Sequence, residues 1–276
     1  MKFTKMQATG NDFIVVDAHK IEQDWPALAH AMCRRRFGVG ADGLILVLPS
    51  DKAHFRMRML NPDGSEAEAC GNGLRCFVRY AVDKRLTGEK ALKIETMAGI
   101  REAQYNSGFV RVAMGSPLLA PQDIPVEVKS ETYPILNYSI ELSDSEIEAS
   151  FVSMGNPHAV AFIDRPVDSF PLTGVGPHIE YHPIFPNRTN FEVVNVVGKG
   201  KLKARVWERG AGETLSCGTG ACAIAVAARL QEFVGDRTEV ELPGGTLVVE
   251  WDGKEEVWLS GPAEIIFDGK WDRKTN

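Results

Sequence analysis

Apolar and polar positions along most of the chain fall into short runs cut by turn signals, the pattern of strands rather than helices. Leu92–Thr96, Ile100–Tyr105 and Phe109–Ala113 are separated by Met97-Ala98-Gly99 and Asn106-Ser107-Gly108, which predicts a meander. Thr238–Leu242, Thr246–Trp251 and Glu255–Leu259, split by Pro243-Gly244-Gly245 and Asp252-Gly253, predict the same ending later in the chain. Helices are few. Leu74, Phe77, Val78, Ala81 and Val82 follow the spacing of a one-sided apolar face, which predicts a helix over Gly73–Leu86. Ala221–Leu230, with Ile224, Val226 and five alanines, is apolar almost all round and must be buried on every face. Amphipathic segments over Trp25–Arg36 and, more weakly, Ser143–Phe151 are expected to pack outside as helices. Short strands wrapped about a small-residue helix favour a barrel or a sandwich.

These patterns occur twice. Gly10-Asn11 reappears as Gly155-Asn156, and Gly115 corresponds to Gly261. Ala69-Cys70-Gly71-Asn72-Gly73 reappears as Ser216-Cys217-Gly218-Thr219-Gly220, with Asn61 and Glu208 each nine residues before the cysteine. An offset that stays between 145 and 147 indicates a duplicated unit, too long for a solenoid repeat. The expected architecture is α+β: two pseudo-symmetric domains, each a β-barrel-like sheet around a central helix. The prolines 117, 121 and 125 mark a stiff connection, giving domains of 1–117 and 118–262, with 263–276 returning to the first.

Bulk properties narrow the function. With 276 residues and 44% hydrophobic content, each half can bury its own core. A net charge of -6, with Arg34-Arg35-Arg36 as the one basic block, argues against nucleic-acid binding. No run reaches the roughly 18 apolar residues of a membrane helix, and Met1–Gln7 lacks a signal-peptide core, so a cytoplasmic location is expected. Five cysteines do not form an even disulfide framework. Cys33, Cys76 and Cys222 read as packing. A zinc site from Cys70, Cys76, Cys217 and Cys222 would need spacings that suit a metal knuckle poorly, so no metal is expected.

Cys70 and Cys217 differ from the other three because each opens a predicted helix among glycines. Unpaired backbone N–H groups and the macrodipole favour negative charge there, lowering a thiol pKa that otherwise leaves only about 3% thiolate at pH 7. The glycines let backbone approach a ligand closely, and the remaining N–H groups suit a carboxylate. Two such helix starts on one ligand would remove a proton from one face of a carbon and return one to the other, the requirement for inverting a stereocentre. No pyridoxal-type lysine motif, nucleotide loop or metal cluster stands out, so no cofactor is expected.

With both Cys-Gly-x-Gly segments in hand, the chain resembles the diaminopimelate epimerase family over essentially its full length. The resemblance rests on Ala8-Thr9-Gly10-Asn11-Asp12-Phe13, Gly38-Val39-Gly40-Ala41-Asp42-Gly43, Asn61-Pro62-Asp63-Gly64-Ser65, Gly155-Asn156-Pro157-His158, Asn187-Arg188-Thr189-Asn190-Phe191, Glu208-Arg209-Gly210 and the two cysteine segments. It implies cofactor-independent interconversion of LL- and meso-diaminopimelate for lysine and peptidoglycan synthesis, in a cleft between two barrels. It also implies a homodimer acting on a small amino acid. By position, Cys70 and Cys217 would be the two bases, with Cys217 the proton acceptor and Cys70 the donor in the LL-to-meso direction. Gly71, Asn72, Gly218 and Thr219 would hold the α-carboxylate; Asn11, Asn61, Asn156, Asn190 and Arg209 would fix the ligand; His158 and Glu208 would tune the thiols. By residue type alone the asparagines read as turn residues, His158 as structural and Glu208-Arg209 as a surface pair. Gly43 departs from the family pattern, since some relatives carry a glutamine there and Gly43 corresponds internally to Asn190. Two alternatives use the same thiols. A proline or hydroxyproline epimerase would need no grip on a distant charged end, and a redox sensor would cycle them through a disulfide.

Overall fold

The computed structural model describes residues 1–67, 70–128, 133–143 and 145–272. The chain forms two compact units, Met1–Ala113 with Ser260–Asn276, and Met114–Leu259. Residues 273–276 lie outside the described residues, as do 68 and 69, so Ala69 of the first cysteine motif has no structural description. The first unit contains β1 (Lys2–Ala8), β2 (Asn11–Asp17), α1 (Trp25–Cys33), β3 (Gly43–Leu48), β4 (Phe55–Leu60), β5 (Glu66–Ala67), α2 (Gly71–Asp83), β6 (Ala91–Thr96) and β7 (Gly99–Asn106), then β8 (Phe109–Gly115) at its boundary. The second contains β9 (Tyr138–Glu141), β10 (Glu146–Ser153), β11 (Pro157–Phe162), α3 (Leu172–Glu180), β12 (Asn190–Gly198), β13 (Lys201–Glu208), β14 (Gly212–Thr214), α4 (Gly218–Leu230), β15 (Arg237–Leu242) and β16 (Gly245–Glu250), then β17 (Val257–Pro262) at its boundary. The last strand, β18 (Glu264–Lys270), pairs antiparallel with β1 in the first unit.

Strand pairing repeats between the units residue by residue. β2 and β3 run parallel with Phe13 opposite Gly43 and Val15 opposite Ile45. β11 and β12 run parallel with His158 opposite Asn190 and Val160 opposite Glu192. The antiparallel partners follow suit, Ile45 facing Met59 and Glu192 facing Val206. The predicted strands 92–96, 100–105 and 109–113 lie within the antiparallel series β6, β7 and β8. The twin of its first step is the β15–β16 pair.

The strands β2, β3 and β11 and the first half of β12 are buried on both faces, which explains the continuous apolar runs Phe13–Val16, Leu44–Val47 and Val193–Val194. Inside lies one helix per unit: α2 contacts β1, β2, β3, β4, β7 and β18, and α4 contacts β10, β11, β12, β15 and β16. Even Arg75 of α2 is fully buried, its guanidinium donating to Thr9 Oγ1 at 3.0 Å. The outer faces are covered by α1, through Trp25, Leu28 and Met32, and by α3, through Leu172 and Ile179.

Asp24 caps α1 by accepting from Ala27 N at 3.1 Å, and the helix stops at Cys33 rather than running to Arg36. The chain turns back there so tightly that a Cβ at Gly38 would lie 2.4 Å from the Ala31 carbonyl oxygen. The expected helix over Ser143–Phe151 is instead strand from Glu146 onward, the start of β10, and Asp144 lies outside the described residues. Ala149 and Phe151 of that strand join the second core, so its apolar spacing is that of a half-buried strand. The helix α3 was not expected, because Gly174, Gly176 and Pro177 are poor helix formers. Among the described residues no helix is long and apolar enough to cross a membrane.

Candidate active site

Both cysteines are helix N-caps. Cys70 is half-buried, and its sulfur accepts from Gly73 N at 3.4 Å. Cys217 is buried, and its sulfur accepts from Gly220 N at 3.4 Å. The extended backbone of the capping residue turns each side chain onto the first helical turn, where N–H groups lack intrahelical acceptors. Cys76 and Cys222, by contrast, are buried within the two helices.

Around Cys70 the structure gathers Asn11 and Asn72. Asn11 Oδ1 accepts from Asn72 Nδ2 at 3.5 Å and from the Cys70 thiol at 3.9 Å. This amide is oriented from behind, since its Nδ2 donates to Asp42 Oδ2 at 2.6 Å. Asp42 and Asp12 share Arg35, at 2.5 and 2.8 Å, and Asp12 also holds the buried Lys5 at 2.5 Å. Lys5 bonds the Gly40 carbonyl as well. Burial raises the Asp12 carboxyl, but the Arg35 and Lys5 bonds outweigh it and hold it at about 2. Arg35, from the basic block Arg34-Arg35-Arg36, is thus part of the frame behind Asn11. Asn61 lies in the turn after β4, its Nδ2 donating to Ser65 Oγ at 3.0 Å. At Gly43 a Cβ would lie 3.1 Å from the Leu60 carbonyl oxygen, so this backbone suits glycine.

Around Cys217 the group is larger. Thr219 Oγ1 lies 3.4 Å from the sulfur and accepts from Asn156 Nδ2 at 3.3 Å. Asn156 Oδ1 lies 3.1 Å from His158 Nε2, and His158 Nδ1 lies 2.7 Å from Glu192 Oε1. His158 and Glu192 are both fully buried. Asn190 is committed at both ends, donating to the Pro157 carbonyl at 2.8 Å and accepting from Arg209 N at 2.9 Å, so it positions the arginine's backbone. The exposed Arg209 borders a cavity of about 670 Å³ also lined by Asn187, Arg188, Gly155 and Pro157, and its guanidinium donates to the Asn187 carbonyl at 3.0 Å. Glu208 is half-buried and accepts from Thr214 Oγ1 at 2.5 Å.

A helix start is expected to lower a thiol pKa, and at Cys217 the opposite holds. Burial first, and then the Glu208 carboxylate, push this thiol well above its ordinary range, against the pull of Thr219 and the Gly220 N–H. Two residues here were not anticipated from sequence. Asp42 lies inside a quoted motif, but only the fold reveals its bond to Asn11. Glu192 sits in an apolar run, Phe191–Val194, and its internal counterpart is Ile45, which marks it as an acid at a core position.

The pattern of the diaminopimelate epimerase family matches this chain twice, at residues 3–119 and 150–266. The chain is 48% identical to a diaminopimelate epimerase of Carboxydothermus hydrogenoformans, covering 98% of this chain and 99% of that one. It is 47% identical to one of Methanococcus maripaludis, covering 99% and 100%. Among solved structures, a PhzF-family phenazine biosynthesis protein of Bacillus anthracis shares the fold at 20% identity, with a TM-score of 0.71 over 98% of both chains. A hydroxyproline epimerase of Agrobacterium vitis does so at 17% identity, with a TM-score of 0.67 over 98% and 91%. A family pattern fitted once to each half, and relatives matched from end to end at nearly half identity, agree with the two capped cysteines: the chain belongs to the diaminopimelate epimerase family.

Proposed function

We propose that the protein is an epimerase interconverting LL-2,6- and meso-2,6-diaminopimelate by a two-base proton transfer at one α-carbon. The observation that carries this reading is the pair of helix-capping thiols, one in each repeat of a chain that belongs to this family. In the LL-to-meso direction the Cys217 thiolate takes the α-proton, and the electron pair left on carbon delocalises into the α-carboxylate. The Cys70 thiol then delivers its proton to the opposite face. Charge developing on the carboxylate is met by backbone N–H groups of Gly71, Asn72, Gly218 and Thr219, since the first helical positions have no intrahelical acceptors. Arg209, its backbone positioned by Asn190, and the asparagines Asn11, Asn61 and Asn156 fix the ligand, mostly at its distant amino-acid end, where a guanidinium can grip a carboxylate with two parallel bonds. His158 and Glu208 support the Cys217 side.

The test is incubation of the fully reduced protein with LL-diaminopimelate in deuterium oxide. The expected result is meso product with deuterium at the inverted carbon; no exchange would sink the reading. The same proposal takes the working form to be a cytoplasmic homodimer, supported by the habit of the family and checked by sedimentation.

A further inference from the structure

We infer that Glu192 is a positioning residue for the Cys217 half of the reaction proposed above, setting the direction of a hydrogen-bond chain that ends on the Cys217 sulfur. The inference rests on that reading for its catalytic meaning, but its geometry stands within the second unit alone.

The chain runs Glu192 Oε1, His158 Nδ1 at 2.7 Å; His158 Nε2, Asn156 Oδ1 at 3.1 Å; Asn156 Nδ2, Thr219 Oγ1 at 3.3 Å; Thr219 Oγ1, Cys217 Sγ at 3.4 Å. An amide oxygen can only accept, so the proton of this His–Asn contact belongs to Nε2. Asn156 then donates through Nδ2 to Thr219, and the threonine hydroxyl turns its own proton to the sulfur. The remaining question is what Nδ1 faces. Among the described residues none donates to the buried Glu192 Oε2, so an ionised carboxylate would leave a charged oxygen without a protein donor. A neutral acid that donates from Oε1 to Nδ1 avoids this, and burial does push the Glu192 carboxyl up, against the pull of His158. Every donor along the chain then points toward Cys217.

The fold does not require this pair. At the same register positions the first unit has Phe13 and Ile45, fully buried and apolar, and the helix start above them has Gly73 in place of Gly220. A Cβ at Gly220 would lie 2.9 Å from Glu192 Oε1 and 3.4 Å from Cys217 Sγ, so the acid sits directly beneath the helix start that carries the thiol. Burying an acid and an imidazole costs stability that two apolar side chains would not. Besides His158, the titratable groups facing Glu192 are Glu208 and Cys217, and Glu208 opposes ionisation of both. A neutral Glu192 adds no second negative charge next to the thiolate while it forms.

Two substrate-free measurements test this. In ¹⁵N-labelled protein at about pH 8, with the His158 signals assigned by their loss in His158→Gln, the ring is expected to carry a single proton, on Nε2. An imidazolium, or a proton on Nδ1 alone, overturns the inference. In a Cys70→Ala background, alkylation of Cys217 by iodoacetamide is followed against pH. Glu192→Gln, which can still donate to Nδ1, is expected to stay within about twofold of its parent. Glu192→Ile, which copies the first unit, is expected to slow alkylation about fivefold or more at fixed pH, the worth of one hydrogen bond. If that variant fails to fold, His158→Phe with Glu192→Ile restores the first unit's apolar pair and takes its place. An unchanged rate in the isoleucine variants, or a clear acceleration in Glu192→Gln, overturns the inference. Neither measurement involves the substrate, so failure of the chain and failure of the epimerase reading are separately visible.

Discussion

The two cysteine sites descend from one duplicated plan and have been finished differently. At Cys70 the sulfur is half-buried and meets Asn11 Oδ1, which can only accept, so that contact is made by the S–H form. At Cys217 the sulfur is buried and, besides the helix-start N–H that both sulfurs accept, meets a threonine hydroxyl able to donate to a thiolate. Behind the first asparagine stands an ionic frame of Asp42, Asp12, Arg35 and Lys5; behind the second stands the buried His158–Glu192 pair. One side is thus arranged around an acid, the other around a base. That division matches the proposed LL-to-meso direction. Burial raises the Cys217 thiol, which makes its thiolate scarcer but also a stronger base toward a weakly acidic C–H.

The strongest test of this division removes the thiols. Cys70→Ala and Cys217→Ala are each expected to lower kcat about 10²- to 10⁴-fold with an unchanged circular dichroism spectrum. A near-normal rate in either variant would mean that one base suffices.

The next effect is on reactivity. Since the Cys217 thiol lies well above its ordinary range, its thiolate fraction should still climb about tenfold per pH unit between roughly pH 8 and 9. Iodoacetamide labelling of Cys217 in the Cys70→Ala protein, quantified by mass spectrometry, checks this. A plateau below pH 9 would show that the helix start dominates burial after all.

A smaller effect separates the two helix starts. A Cβ on Gly73 meets flexible apolar groups, Met59 Sδ at 3.2 Å and Ile45 Cδ1 at 3.3 Å, which can yield. A Cβ on Gly220 meets the Glu192 oxygen that His158 pins at 2.7 Å. Gly73→Ala should leave stability within about 1 kcal/mol of the parent, while Gly220→Ala should lose about 1–3 kcal/mol by breaking a buried polar contact. Urea denaturation midpoints decide it, and equal losses would erase the asymmetry.

How much of this was legible in the sequence follows from what each residue reports locally. The duplication was visible because glycines and cysteines at turns and helix starts tolerate few substitutes, so they kept their offset while the strands between them diverged. Helix α4 was visible because a helix enclosed by a sheet is apolar almost all round, and α2 because its apolar residues recur on one face at helical spacing. Helix α3 was not, because Pro177 and two glycines mask a face that Leu172 and Ile179 supply through packing on β12 and β13. Strand β10 was misread because Phe151 and Ala149 fit either period over so short a run. Glu192 was hidden because a glutamate in a strand reads as a solvent-facing residue. The raised Cys217 thiol was hidden because a local rule about helix starts says nothing of burial.

The smallest expected effect concerns the hairpins leading into the two cysteines. Arg58 grips Glu66 through Nε and a terminal nitrogen at 3.0 and 2.9 Å, and Arg205 grips Glu213 in the same way at 2.8 and 2.9 Å. The pairs are 147 residues apart and look equivalent. Arg205 does more, however, because its remaining nitrogen donates at 2.8 Å to the Val167 and Phe170 carbonyls, tying the β13–β14 hairpin to the segment before α3. Arg58→Met removes only a partly exposed ion pair and should cost at most about 1 kcal/mol. Arg205→Met also takes from the Val167 and Phe170 carbonyls one of two donors each, leaving Phe170 N and Leu172 N, and should cost up to about 1 kcal/mol more. Paired urea melts would read the difference. If the two variants melt together, the second hairpin is held no more firmly than the first, and the added rigidity of the Cys217 side lies in the buried His158–Glu192 pair alone.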